Sequence, residues 1–221
     1  MKRYLGVILI CVGTLLISAS LGLLTFNYLE DRQAGEAAKD KLNSLVDQIR
    51  LQKEELPPQE EDVSPLTPRP EQELWLPIPT EADPSEDFVM EELEVDGNGY
   101  IGYISFPTLD LELPVMSRWT EEKLYSSPCH YYGSIQGQDL VIMAHNYDRH
   151  FGRLPSLMPY DPVSFVDVRG NTYEYTVILE ETLPADCVPE LTDGSYDLTL
   201  FTCTYGGAKR ITIRCNRIVP D

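Results

Sequence analysis

The chain has 221 residues, of which 36 are acidic and 17 basic, for a formal net charge of -19. A phosphate backbone is bound by clustered Lys and Arg that displace its counterions, so this balance excludes nucleic acid as a partner. The length suits one sizeable domain with accessory segments.

The run from Leu5 to Phe26, LGVILICVGTLLISASLGLLTF, has 22 residues and no charge. As a helix at about 1.5 Å per residue it reaches roughly 33 Å, enough to cross a hydrocarbon core of about 30 Å. Lys2 and Arg3 precede it and Glu30 and Asp31 follow it. The positive-inside bias therefore places residues 1–4 in the cytoplasm, 5–26 in the cell membrane as a single-pass anchor, and the rest outside. A signal peptide cleaved near Ser18-Ala19-Ser20 is the competing reading, but the apolar run continues through Leu21, Leu23 and Leu24, as an uncleaved anchor would.

Residues 27–56 carry Leu42, Leu45, Val46 and Ile49 at the spacing of one helical face, which predicts a juxtamembrane helical stalk. The stripe could pair with another copy, but one short stripe is a weak basis for a coiled coil. Residues 51–98 hold 15 acidic and 2 basic residues and 8 prolines. Such a composition cannot bury enough apolar surface to order itself, and 57–98 reads as an acidic, Pro-rich linker that keeps the following domain clear of the membrane. Leu56-Pro57-Pro58 and Leu76–Thr80 fit extended spacer, with a pseudo-substrate role as the less favoured reading.

Residues 99–221 have a different texture. Short β-type runs begin at Tyr100, Asp110, Asp139, Pro162, Thr172, Asp197 and Arg210, separated by Gly, Pro, Asn and Asp. Brief helical candidates lie at Thr120–Ser126 and Phe151–Leu157. Seven or eight short strands predict an all-β barrel or sandwich.

Four cysteines follow the apolar run: Cys129, Cys187, Cys203 and Cys215. They could form two disulfides in any of three connectivities, and their spacing matches no zinc pattern. Leu198–Cys215, LTLFTCTYGGAKRITIRC, reads as a β-hairpin whose loop holds Gly206 and Gly207. Cys203 falls at the end of the first strand, where a side chain is free to meet a ligand. In the second strand a period of two puts Ile211, Ile213 and Cys215 on the core face and Arg210, Thr212 and Arg214 on the other. Arg210 lies at the loop end near Cys203, and Arg214 roughly 13 Å further along at about 3.3 Å per residue. A thiol attacks as thiolate, which a neighbouring imidazolium or guanidinium stabilises. Of the three histidines, His145 directly follows the strand DLVIMA, whereas His130 and His150 read as surface or turn residues.

LTLFTC, Leu198–Cys203, resembles the sortase signature TLxTC, with VIMAHN similar to the family's histidine strand and an Arg opening the strand after the cysteine. The resemblance covers nearly all of residues 100–219. It implies a closed eight-stranded barrel, here with short helices and preceded by the transmembrane helix and stalk. It also implies a cysteine transpeptidase that cuts an LPxTG-like sorting signal on exported proteins and transfers the acyl chain to an amine of the Gram-positive wall or of a pilin. Carried onto this sequence, Cys203 is the nucleophile, His145 the acid/base, Arg210 the cation that positions substrate and stabilises the oxyanion, and Thr202 a candidate substrate contact. No cofactor or metal is implied. The short His145–Cys203 interval, the lack of a second apolar span, and Ser85 after Asp83-Pro84 make a compact, class D-like or related enzyme the expectation. The reading from another class is a non-catalytic, membrane-tethered barrel that binds peptide or wall, with Cys203 in a disulfide.

Overall fold

The computed structural model describes residues 2–55 and 90–219. The linker pieces Leu56–Pro58 and Leu76–Thr80 and the Asp83–Ser85 segment lie outside the described residues. The apolar run and the polar segment after it form one helix, α1 (Lys2–Glu55). From Ile10 to Phe26 its large apolar side chains are exposed, with Leu15 at 70%, Leu16 at 60% and Leu24 at 66%, as a lipid-facing surface requires.

Nine strands follow: β1 (Leu93–Val95), β2 (Asn98–Phe106), β3 (Leu111–Met116), β4 (Cys129–Tyr132), β5 (Leu140–Met143), β6 (Pro162–Asp167), β7 (Thr172–Pro184), β8 (Leu198–Cys203) and β9 (Lys209–Arg217). Short helices α2 (Glu121–Leu124) and α3 (Val188–Leu191) and a 3₁₀ helix at Phe151–Ser156 interrupt them. The sheet order is β1-β2-β3-β4-β5-β8-β9-β7-β6, and β6 pairs back onto β2. Eight strands therefore close into a barrel, and β1 is a short hairpin arm on β2. Closure leaves no free edge among those eight. The seam depends on Gly102 (φ 146°), which faces Asp167 across β2–β6 at a shift in the β2–β3 register. A Cβ there would overlap the Val166 carbonyl oxygen.

Alternation puts Ile104, Leu113, Leu140, Ile142, Phe165, Val177, Leu198, Leu200, Ile213 and Cys215 inside the barrel, with Phe106 and Phe151 stacked edge to face at 5.9 Å. The parity read for β9 holds, since Ile213 and Cys215 are fully buried in this core.

Two expectations need correction. β1 falls inside the span expected as linker, because Leu93 and Val95 alternate for too few residues to register as a strand. And α1 is not a free stalk: Leu42, Leu45 and Ile49, at 8%, 0% and 6% exposure, are buried on the barrel. Leu45 and Ile49 pack with Val95, Tyr100, Met116, Leu124 and Cys129, and Lys41 pairs with Asp96 at 2.5 Å. Apart from Val46, 37% exposed, the stripe is covered by the chain's own sheet. Contact begins at Asp31, five residues beyond Phe26, through its bond to Arg149. The barrel is therefore held against the helix that leaves the apolar span.

Candidate active site

β8 pairs in parallel with β5, with Met143 opposite Phe201, and antiparallel with β9, with Cys203 opposite Arg210. Carried two residues past Met143, the offset of 58 that also relates Ala144 to Thr202 brings His145 level with Cys203. Cys203 and Arg210 are thus paired across β8 and β9, about 4.8 Å per strand step, and His145, two residues past the end of β5, continues this row on the other side of β8. Row mates point to the same side of a sheet. Leu198 and Leu200 face the barrel core, so Phe201 and Cys203 face outward. Cys203 is half-exposed there, as a nucleophile must be.

The hydroxyl of Thr202 is buried and donates to the Ala144 carbonyl at 2.8 Å, while Ala144 N–H donates to the Phe201 carbonyl at 3.2 Å. These bonds tie the cysteine strand to the histidine strand. Thr202 is therefore turned away from any ligand, and its hydroxyl is engaged in aligning the row.

His145 lies between two tyrosine rings, Tyr125 at 4.8 Å and Tyr147 at 5.2 Å between centroids. Its Nε2 is buried and has no partner among the described residues. Burial holds the imidazole below its ordinary pKa, opposed by the carboxylates of Glu121 and of Glu30 on α1. The neutral ring, able to take a proton, is therefore the resting form at neutral pH.

Arg210 donates from Nη1 to the Gly207 and Lys209 carbonyls at 2.9 and 3.2 Å, so its guanidinium curls over the loop that follows Cys203. That loop is closed by Gly207 N–H to the Thr204 carbonyl at 2.8 Å. Arg214 is the contrast. It is 3% exposed and spends its donors on Glu181 at 2.7 Å, Thr199 at 3.0 Å and the Glu190 carbonyl at 2.6 Å, with Tyr196 beneath it. Of the two arginines on this face, Arg210 is the one with donors left for a ligand.

Beside the row a buried apolar cluster of Val141, Cys187, Leu191 and Phe201, with Met143 against it, continues into Tyr131, which meets Phe201 edge to face at 5.2 Å and the exposed Trp119 at 6.3 Å. His130 bonds the Gly133 carbonyl through Nε2 at 2.7 Å in the turn after β4, and His150 is fully buried. The cysteines are free thiols: Cys129, Cys187 and Cys215 are buried, each in a different apolar cluster. A cleft of about 1000 Å³ between α1, β3 and the loop after His145 is lined by Asp31, Gly35, Leu42, Leu113 and Arg149 and by none of the three row residues.

The tyrosines around His145 and the contact of α1 with its loop were missed by sequence reasoning. Tyr147, two positions after the histidine, carried a local signal; Tyr125 and Asp31 come from distant segments and carried none.

The family model for the sortase domain matches residues 104–218, just over half of the chain and the whole of the row. This chain belongs to the sortase family. Sortases are cysteine transpeptidases, and the chain is of that type. Among solved structures, sortase C1 from Streptococcus agalactiae is 29% identical over 63% of this chain and 79% of that one, with a TM-score of 0.52. A pilus-related sortase C of Group B Streptococcus is 27% identical over 57% of this chain and 70% of that one, with a TM-score of 0.50. Both are sortases C, so the class D-like expectation gains no support from them. No curated protein matches the chain.

Proposed function

We propose that this sortase cleaves an LPxTG-like sorting signal and transfers the acyl chain to an amine of a wall precursor or a pilin. The observation that carries the reading is the row His145, Cys203 and Arg210, placed level by two strand registers. His145 takes the proton of the Cys203 thiol as the sulfur attacks the scissile carbonyl, whose π electrons move onto oxygen, where Arg210, swung from its loop carbonyls, donates to the oxyanion. Collapse breaks the C–N bond as His145 delivers a proton to the leaving amine, giving a thioacyl enzyme. An incoming amine attacks that thioester, gives its proton to His145, and expels the Cys203 thiolate, which His145 reprotonates. The exposed Trp119 and half-buried Tyr131, backed by buried Phe201, suit the leucine and proline of the signal.

The charge bias across the apolar run supports a cytoplasmic N-terminus and an extracellular barrel. The placement of Cys129, Cys187 and Cys215 in three separate buried clusters, with Cys203 a free thiol outside them, supports the catalytic reading over the disulfide-bonded one.

The test is full-length protein in detergent micelles with a fluorogenic sorting-signal peptide. Cleavage with a thioacyl adduct on Cys203 by mass spectrometry, and diversion of product by added amine, are expected. Cleavage that persists in Cys203→Ala would falsify the mechanism.

A further inference from the structure

His145 has no hydrogen bond at Nε2, so the direction of its ring is fixed by its own backbone and by the tyrosines beside it. Upstream, Ala144 is tied to β8. Downstream, the loop of residues 146–150 turns on itself through His150 N–H and Gly152 N–H, both donating to the Tyr147 carbonyl. Its outer side rests on α1.

Three contacts make that seat. The Asp31 carboxylate, only 20% exposed, accepts the backbone N–H of Arg149 at 3.0 Å and lies 3.6 Å from its Nε. Gly35, one turn further along the helix, lies under the Arg149 stem: a Cβ there would stand 2.8 Å from the Arg149 Cβ and overlap its Cδ. His150, fully buried, packs beside Ala34. A helix residue with a side chain at position 35 would push the loop outward.

This part of α1 differs from the part below it. Leu42, Leu45 and Ile49 bury large apolar groups and supply attachment, whereas Ala34, Gly35 and Ala38 bury little area and supply closeness of approach. We propose that residues 31–38 of α1 are a positioning element for His145, holding the 146–150 loop through Asp31 and Gly35. The helix that leaves the membrane span would then belong to the catalytic apparatus. The inference rests on His145 as the acid/base.

The experiment uses the full-length chain in micelles and the sorting-signal peptide. Asp31→Ala and Gly35→Ala are each expected to lower kcat about tenfold with KM within about twofold, as displacement of a proton-transfer group affects the chemical step and not ground-state binding. Gly35→Ala is informative because alanine favours the helix while its Cβ meets the Arg149 stem, so a role confined to packing predicts a changed melting point with unchanged kcat. Asp31→Glu should recover part of the rate, and Arg50→Ala, on an exposed side of α1, should behave as the native chain. A loosened loop also exposes His145, so the acid limb of kcat/KM should move up toward the ordinary histidine value in both alanine variants. Unchanged kcat and an unmoved acid limb in folded Asp31→Ala and Gly35→Ala overturn the inference while leaving the catalytic reading intact. Full activity in His145→Ala would instead remove the reading on which it rests.

Discussion

Arg210 and Arg214 leave the same face of β9 and meet different partners. Arg214 is itself 3% exposed and satisfies one carboxylate, one hydroxyl and one carbonyl; its replacement leaves the buried Thr199 hydroxyl and the Glu190 carbonyl without that donor, whereas the Glu181 side chain, 35% exposed, can turn to water. Removing such a buried donor is destabilising by about 1–3 kcal/mol. Arg210 bonds two carbonyls of its own loop, which solvent can satisfy equally well. Arg210→Ala is therefore expected to leave the thermal midpoint within a degree or two and lower kcat by about 10²-fold or more, the cost of losing an oxyanion donor. Arg214→Ala is expected to lower the midpoint by several degrees. Paired melting curves and peptide-cleavage kinetics separate the two. A melting curve that falls for Arg210→Ala and holds for Arg214→Ala would reverse the assignment.

At the scale of elements, legibility followed the reach of the signal. The β8–β9 hairpin was readable because its alternation, its Gly206-Gly207 loop and its cysteine lie within eighteen residues, and strand parity alone placed Arg210 on the outward face. The level of His145 with Cys203 was not readable, because it depends on the parallel register of β5 and β8, which no local pattern encodes. Likewise the apolar stripe of α1 showed that a partner existed but not which one. His150 looked like a turn residue and is instead enclosed between α1 and the 3₁₀ helix it precedes, with both ring nitrogens lacking hydrogen-bond partners. Burial pushes it down to about 4; the neighbouring His145 acts in the same direction, and the Ala34 carbonyl and Asp31 oppose it. The unfolded chain takes up this proton near the ordinary value of 6.5, whereas the folded chain does not until about 4, so stability falls as pH drops through that window. The full effect amounts to roughly 3 kcal/mol. His150→Phe keeps the ring volume and removes the titration, so its thermal midpoint should fall less than that of the native chain between pH 7 and pH 4. Parallel pH dependences for the two chains would show that His150 takes no part.

For the whole molecule, the barrel is closed and needs no further strand, but its outer surface is not complete alone. Tyr100, Met116 and Val95 are buried only with Leu45 and Ile49 of α1 laid over them, and Ala38 reaches the main core. The unit that folds thus combines residues 27–55 with the barrel, although the sequence composition divides them by an acidic linker. Burial of Leu42, Leu45 and Ile49 contributes about 1.5–3 kcal/mol each, a sum comparable to the total stability of about 5–15 kcal/mol for a domain. A chain starting at residue 27 retains this contact and should melt near the full-length protein. One starting at residue 57 exposes the Tyr100 and Met116 surface, and its midpoint should be lower by ten degrees or more, with increased binding of a dye that reports apolar surface. Leu45→Ala in the full chain is an intermediate case at about 2–5 kcal/mol, because it opens a cavity at the centre of the same contact. Equal melting of the chains starting at residues 27 and 57 would mean that α1 lies on the barrel without stabilising it.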